Sequence, residues 1–138
     1  MTELFVLDRQ VGFLLRKAHQ RHLSLFSDLI DADLTPMQFA VLAKLEEVGP
    51  TSQNRLGRLT AMDVATIKGV VGRLEARGLV ERRAAPHDRR MAVIEMTEEG
   101  RDVLQRSKGD AVRASRQALA PLSDNDRSTL MELLARIT

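Results

Sequence analysis

Apolar residues recur along this chain with spacings that switch between helical and strand periods, and the switches mark out a succession of elements. Positions 7, 11, 14, 15, 18, 25, 26 and 29 predict one long helix over about 7–30, interrupted by Asp31-Ala32-Asp33. Thr35 opens a second helix as N-cap, with Pro36 at N1 and Gln38 at N3 closing a capping box. Leu34 and Phe39 stand where a hydrophobic staple would form, Phe39, Val41, Leu42 and Leu45 give the apolar stripe, and Gly49-Pro50 stops it. Ser52 caps a short third helix carrying Leu56 and Leu59, followed by a break near 60–62.

A fourth helix is predicted over 63–77, with Val64, Ile67, Val70, Val71 and Leu74 as its buried stripe and Gly78 at C′. Residues 79–83 and 91–96 read as two strands, with a polar hairpin loop over 84–90 that includes Pro86 and Asp88. Thr97 caps a fifth helix whose Glu98 and Glu99 complement the macrodipole; it runs to about 119, and Pro121 ends it. Ser123 caps a sixth helix with Leu130, Leu133, Leu134 and Ile137 on one face. A short helix, a tight turn, a second helix and a hairpin make a winged helix-turn-helix, so the fold expected is mainly α with a small β-hairpin wing.

Composition sharpens this picture in three ways. With four Phe and no Trp or Tyr among 138 residues, the core must be aliphatic. The absence of cysteine excludes disulfides, thiolate nucleophiles, Cys-ligated zinc and thiol redox sensing. No apolar run approaches the roughly 20 residues of a membrane span, and Met1-Thr2-Glu3-Leu4 lacks the basic start of a secretion signal. A soluble, cytoplasmic protein with no membrane partner is expected.

Net charge is only +2, but it is unevenly spread. Residues 51–90 hold nine Lys/Arg against four Asp/Glu, whereas 1–50 and 91–138 come to −2 and −1. A basic middle third suits a polyanion, and equally suits a solvated basic face.

On a helical wheel the fourth helix sets Ala65, Gly69, Gly72 and Ala76 opposite its apolar stripe, flanked by Thr66 and Arg73 on one side and Lys68 on the other. A helix entering a major groove needs such a ridge: small residues allow close approach, and long donors reach phosphates or base edges. Packing against another protein helix is the alternative. Gly57, in the third helix, would let the two helices of the tight turn approach, or is simply a weak spot. In the hairpin, Arg89 or Arg90 can enter a narrow minor groove and the other hold a phosphate. Asp88 suits pairing with a neighbouring Arg better than phosphate contact. A merely solvated loop is the competing reading. No phosphate loop, nucleophile motif or metal constellation points to an enzyme, and His19 with His22 are too few ligands for zinc. No metal or cofactor is expected.

Several segments together resemble the MarR family of regulators over nearly the whole chain. The family's wing signature, Asp-x-Arg and then an apolar strand ending in Leu-Thr, stands here as Asp88-Arg89-Arg90 through Met96-Thr97, with Met96 in place of Leu. Leu34-Thr35-Pro36-Met37-Gln38-Phe39 resembles the start of the family's second helix, and residues 73–80 resemble its junction of recognition helix and wing. Gly69 departs from the larger polar residue that many members carry there.

The resemblance implies a homodimer interlocked through the first, fifth and sixth helices. It implies a DNA-binding lobe over about 34–97, with helical dimerisation regions over about 4–31 and 98–138. It also implies a pseudo-palindromic double-stranded operator with half-sites about 10 base pairs apart, and repression as the default. Arg90 takes the place of the minor-groove arginine and Asp88 that of its partner. The contact set expected is Ser52, Gln53 and Asn54 on the third helix, Ala65, Thr66, Lys68, Gly69 and Arg73 on the fourth, and Asp88, Arg89 and Arg90 on the wing. Family members often answer to phenolic or aromatic carboxylates; Arg16 and His19, one turn apart, could clamp such a carboxylate or be plain surface residues. The alternative function is a winged helix used only for protein contacts.

Overall fold

The computed structural model describes residues 3–138; Met1 and Thr2, part of the stretch read for a secretion signal, lie outside the described residues. Among the described residues six α-helices and one hairpin follow in chain order: α1 (Val11–Leu29), α2 (Pro36–Val48), α3 (Gln53–Leu59), α4 (Val64–Ala76), β1 (Val80–Ala85), β2 (Asp88–Met96), α5 (Glu98–Ala118) and α6 (Asp124–Arg136). No helix among the described residues is long and apolar enough to cross a membrane.

The caps work as their chemistry requires. Gln38 N–H donates to Thr35 Oγ1 at 3.1 Å and Thr35 N–H donates to Gln38 Oε1 at 3.1 Å, completing the capping box. Ser52, Thr97 and Ser123 each accept a backbone N–H of their helix's first turn. Gly78 takes the left-handed conformation (φ 74°) that ends α4 and turns the chain into the wing.

Two elements differ from the sequence reading. Leu7–Arg9 form a separate 3-10 turn, and Gln10 is extended (φ −83°, ψ 132°) before α1 begins at Val11. None of the turn's residues is buried, so no packing holds helical geometry through Gln10, and local propensity alone does not sustain it. The strands are longer than expected: the turn shrinks to Pro86-His87, and Asp88, Arg89 and Arg90 belong to β2 rather than to an open loop. The antiparallel ladder runs from Val80↔Met96 to Ala84↔Ala92, then jumps to Ala85↔Asp88. Arg89, Arg90 and Met91 fall inside that irregularity, which bends the wing and turns them outward.

The core gathers Val41, Leu42, Leu56, Leu74, Ile94 and Leu104 from α2, α3, α4, β2 and α5, all at 0% exposure. Thr51, just before α3, bridges Ile94 of β2 in both directions (3.1 and 2.7 Å), fixing the helix-turn-helix to the base of the wing. α1 lies along α5, and Arg21 of α1 donates to the Gln117 and Ala118 carbonyls at the end of α5. α6 buries no residue in its own chain.

Candidate nucleic-acid interface

The helix that carries the candidate interface is held from behind. Ile67, Val70, Val71 and Leu74 of α4 are buried. Val64, expected in the same stripe, is instead 71% exposed. It is the first residue of the helix, ahead of the turn that reaches the core. Asp63 caps α4 by accepting Thr66 N–H at 2.7 Å; these hydrogen bonds to the ionised form hold its carboxyl below the usual carboxylate range.

The opposite face matches the wheel. Ala65, Gly72 and Ala76 are exposed, Gly69 and Thr66 half-buried, and Lys68 and Arg73 exposed. A methyl group at Gly72 would meet nothing within 4 Å, whereas one at Gly69 would stand 3.3 Å from the Arg73 guanidinium, which folds back over it. The ridge is open at Ala65, Gly72 and Ala76 and is covered at Gly69 by Arg73. Gly57 serves close approach as expected: a methyl there would come within 3.1 Å of Ile67 Cγ2 and 3.2 Å of the Met62 carbonyl oxygen.

At the start of α3, Ser52 is occupied as cap, Asn54 is exposed and Gln53 is half-buried. Gln53 Oε1 accepts from Arg82 Nη2 of β1 at 2.9 Å. Arg82 was not singled out in the sequence, because its partner is 29 positions away and no local pattern marks the pair. The same holds for Arg77, whose guanidinium donates to the Asp33 and Ala32 carbonyls at 2.8 and 3.2 Å and ties the end of α4 to the α1–α2 link.

On the wing, Arg90 is almost fully solvated, its side chain 95% exposed. Asp88 Oδ1 accepts Arg90 N–H at 3.0 Å and lies 3.8 Å from Arg90 Nε, so it braces the arginine as its chemistry predicts. Arg89 is exposed beside it. The structure thus carries two basic, solvent-facing features, the edges of the α4 ridge and the β2 bulge, together with a polar start of α3.

A family model described as the MarR family matches residues 32–91. The HTH-type transcriptional repressor NicR of Pseudomonas putida is 41% identical over 129 residues, spanning 93% of this chain and 82% of that protein. The chain belongs to the MarR family. A solved structure, a probable transcriptional regulator from Pseudomonas aeruginosa, superposes with a TM-score of 0.93 at 51% identity, covering 96% of this chain and all of that one. BpsR of Bordetella bronchiseptica, whose DNA binding is regulated by 6-hydroxynicotinic acid, superposes with a TM-score of 0.92 at 34% identity over 98% of this chain and 97% of its own. Like other MarR-family members, the chain is a DNA-binding transcriptional regulator with a winged-helix fold.

Beside α4 lies a cavity of about 460 Å³. Leu23 and Phe26 of α1, Ile30 just after it, Met37 and Gln38 of α2, and Arg73 of α4 are among its walls. Arg16 and His19 are exposed and do not line it. They continue the same stripe of α1, His19 four residues and Arg16 seven residues before Leu23, or about 6 and 10 Å along the axis.

Proposed function

We propose that the chain is a homodimeric repressor of a pseudo-palindromic operator, released by a small aromatic or phenolic carboxylate. One observation carries this reading: the ridge of α4 is bare and open at Gly72, Ala65 and Ala76, with Lys68 and Arg73 at its edges and the braced Arg90 on the neighbouring wing. A duplex major groove accommodates such a helix, and an adjacent minor groove accepts a solvated guanidinium. The lobe over about 34–97 would meet DNA through Ser52, Gln53, Asn54, Ala65, Thr66, Lys68, Gly69, Arg73, Asp88, Arg89 and Arg90. The regions over about 4–31 and 98–138 would join two copies.

Exposed apolar side chains support the second copy. Leu4, Phe5 and Val11 near the start of the chain, and Met131, Leu133 and Ile137 near its end, are between 48% and 88% exposed. A water-soluble chain covers a set of this size with another surface. Repression follows the character of NicR. The effector class follows 6-hydroxynicotinic acid, an aromatic carboxylate that regulates BpsR. The cavity between α1, α2 and α4 is large enough for one aromatic ring; Arg16 with His19, the proposed carboxylate clamp, stand outside it, further along α1.

Fluorescence anisotropy with a labelled duplex from the protein's own promoter region tests this. Binding should be nanomolar to micromolar at low salt and weaken by about 0.9 log units per phosphate contact for each tenfold rise in salt. Absence of duplex binding at low ionic strength would leave a winged helix that contacts proteins alone.

A further inference from the structure

We propose that Arg82 is a positioning residue that orients the Gln53 amide so that its N–H groups face the DNA backbone; this rests on the DNA-binding reading above. Three elements meet at Arg82. Its Nη2 donates to Gln53 Oε1 at the start of α3 (2.9 Å), and its Nε lies 3.4 Å from Glu75 Oε2 in the last turn of α4. Arg82 itself stands in β1, paired with Ile94.

The chemistry of the pair decides which way the amide points. A guanidinium carries five N–H donors and no lone pair to offer, so the Gln53 atom facing it must be the oxygen. The Nε2 amine is then turned away from Arg82. A free glutamine reads adenine by donating and accepting at once. With its oxygen held toward Arg82, Gln53 presents its N–H groups outward, and its oxygen is turned toward β1 rather than toward a ligand. The first helix of a helix-turn-helix crosses the DNA backbone rather than entering the groove. The acceptor that meets outward-turned N–H groups at the start of α3 is therefore a phosphate oxygen.

Glu75 completes the device. It occupies the Nε edge of Arg82 and offsets its charge, so the guanidinium is directed at Gln53 rather than spent on DNA. The wing strand and the end of the recognition helix thereby set the orientation of a side chain on a third element.

Anisotropy titrations on the promoter duplex, with wild type, Gln53→Leu, Arg82→Met, the double variant and Arg82→Lys, test the proposal. Each of the first two should bind roughly threefold to tenfold more weakly, the loss of one hydrogen bond. The double variant should bind no more weakly than either single one, because both remove the same contact. Arg82→Lys, whose ammonium also only donates, should recover most of the affinity. In a second arm, methylphosphonate linkages replace phosphates one at a time. Wild type should lose affinity at one linkage per half-site at which Gln53→Leu is indifferent. Additive losses, silent single variants, a lysine variant as weak as the methionine one, or no such linkage would each overturn the assignment. Should Arg82→Met fail to fold, Gln53→Leu and the methylphosphonate arm decide alone. A wild type that ignores duplex DNA counts against the DNA-binding reading; one that binds while the variants change nothing counts against Arg82 and Gln53 only.

Discussion

Gly100 of α5 is pressed against the backbone of Leu79. A methyl group at Gly100 would overlap the Leu79 carbonyl oxygen and reach within 3.0 Å of its carbonyl carbon and of Met96 Cγ. The same carbonyl accepts Thr97 N–H at 3.1 Å, so neither segment can retreat without loosening the cap of α5. Gly100→Ala should therefore cost about 1–3 kcal/mol of stability. Urea denaturation measures it, and an unchanged midpoint would mean that α5 slides to make room.

The ridge of α4 makes a sharper test of DNA contact. Ala65 is exposed and lies opposite the buried stripe, so Ala65→Glu should leave the thermal midpoint within a degree or two of wild type while lowering duplex affinity a hundredfold or more. Retained affinity would assign DNA to another face.

Arg90 stands free in solvent with only Asp88 to brace it. Arg90→Ala should weaken operator binding at least tenfold without affecting folding. The slope of log affinity against log salt should fall by about 0.9 if the guanidinium replaces one counterion. A mobility shift identical to wild type dismisses the wing as a contact.

Effector release separates from DNA binding if the α1 stripe holds the carboxylate. Arg16→Ala should keep operator affinity but raise severalfold the concentration of an aromatic carboxylate, 6-hydroxynicotinate being the first to try, that dissociates the complex. A normal release curve would leave the cavity to other residues, Arg73 first.

Asp63 gives a prediction in pH. Its folded carboxyl titrates below its unfolded value because the ionised form accepts Thr66 N–H. The stability it contributes is complete above the unfolded value and is lost as pH falls through the folded one. Asp63→Asn keeps a cap but cannot titrate, so its acid-denaturation profile should be flatter over that range. Superimposable profiles would show that the cap does not couple to folding.

Local chemistry was readable from the chain, and distant pairing was not. Thr35, Ser52, Thr97 and Ser123 cap the helices that their side chains foretell, since a cap needs only a residue three positions on. Periodicity located the buried face of α4 through Ile67, Val71 and Leu74, and missed Val64 because spacing does not register how far the core extends beneath the first turn. The Arg82–Gln53 and Arg77–Asp33 hydrogen bonds span 29 and 44 positions. They depend on how the lobe closes, which no window of sequence contains. The wing's irregular register likewise follows from pairing across the whole hairpin rather than from the turn residues.

None of the thirteen residues of α6 is fully sheltered by the chain to which they belong. Isolated helices of about that length are marginal in water. If a second copy provides the shelter, the order of α6 depends on how many copies are present. Operator occupancy would then have a threshold in protein number: a cell diluting the regulator through growth could empty the operator with no small molecule at all.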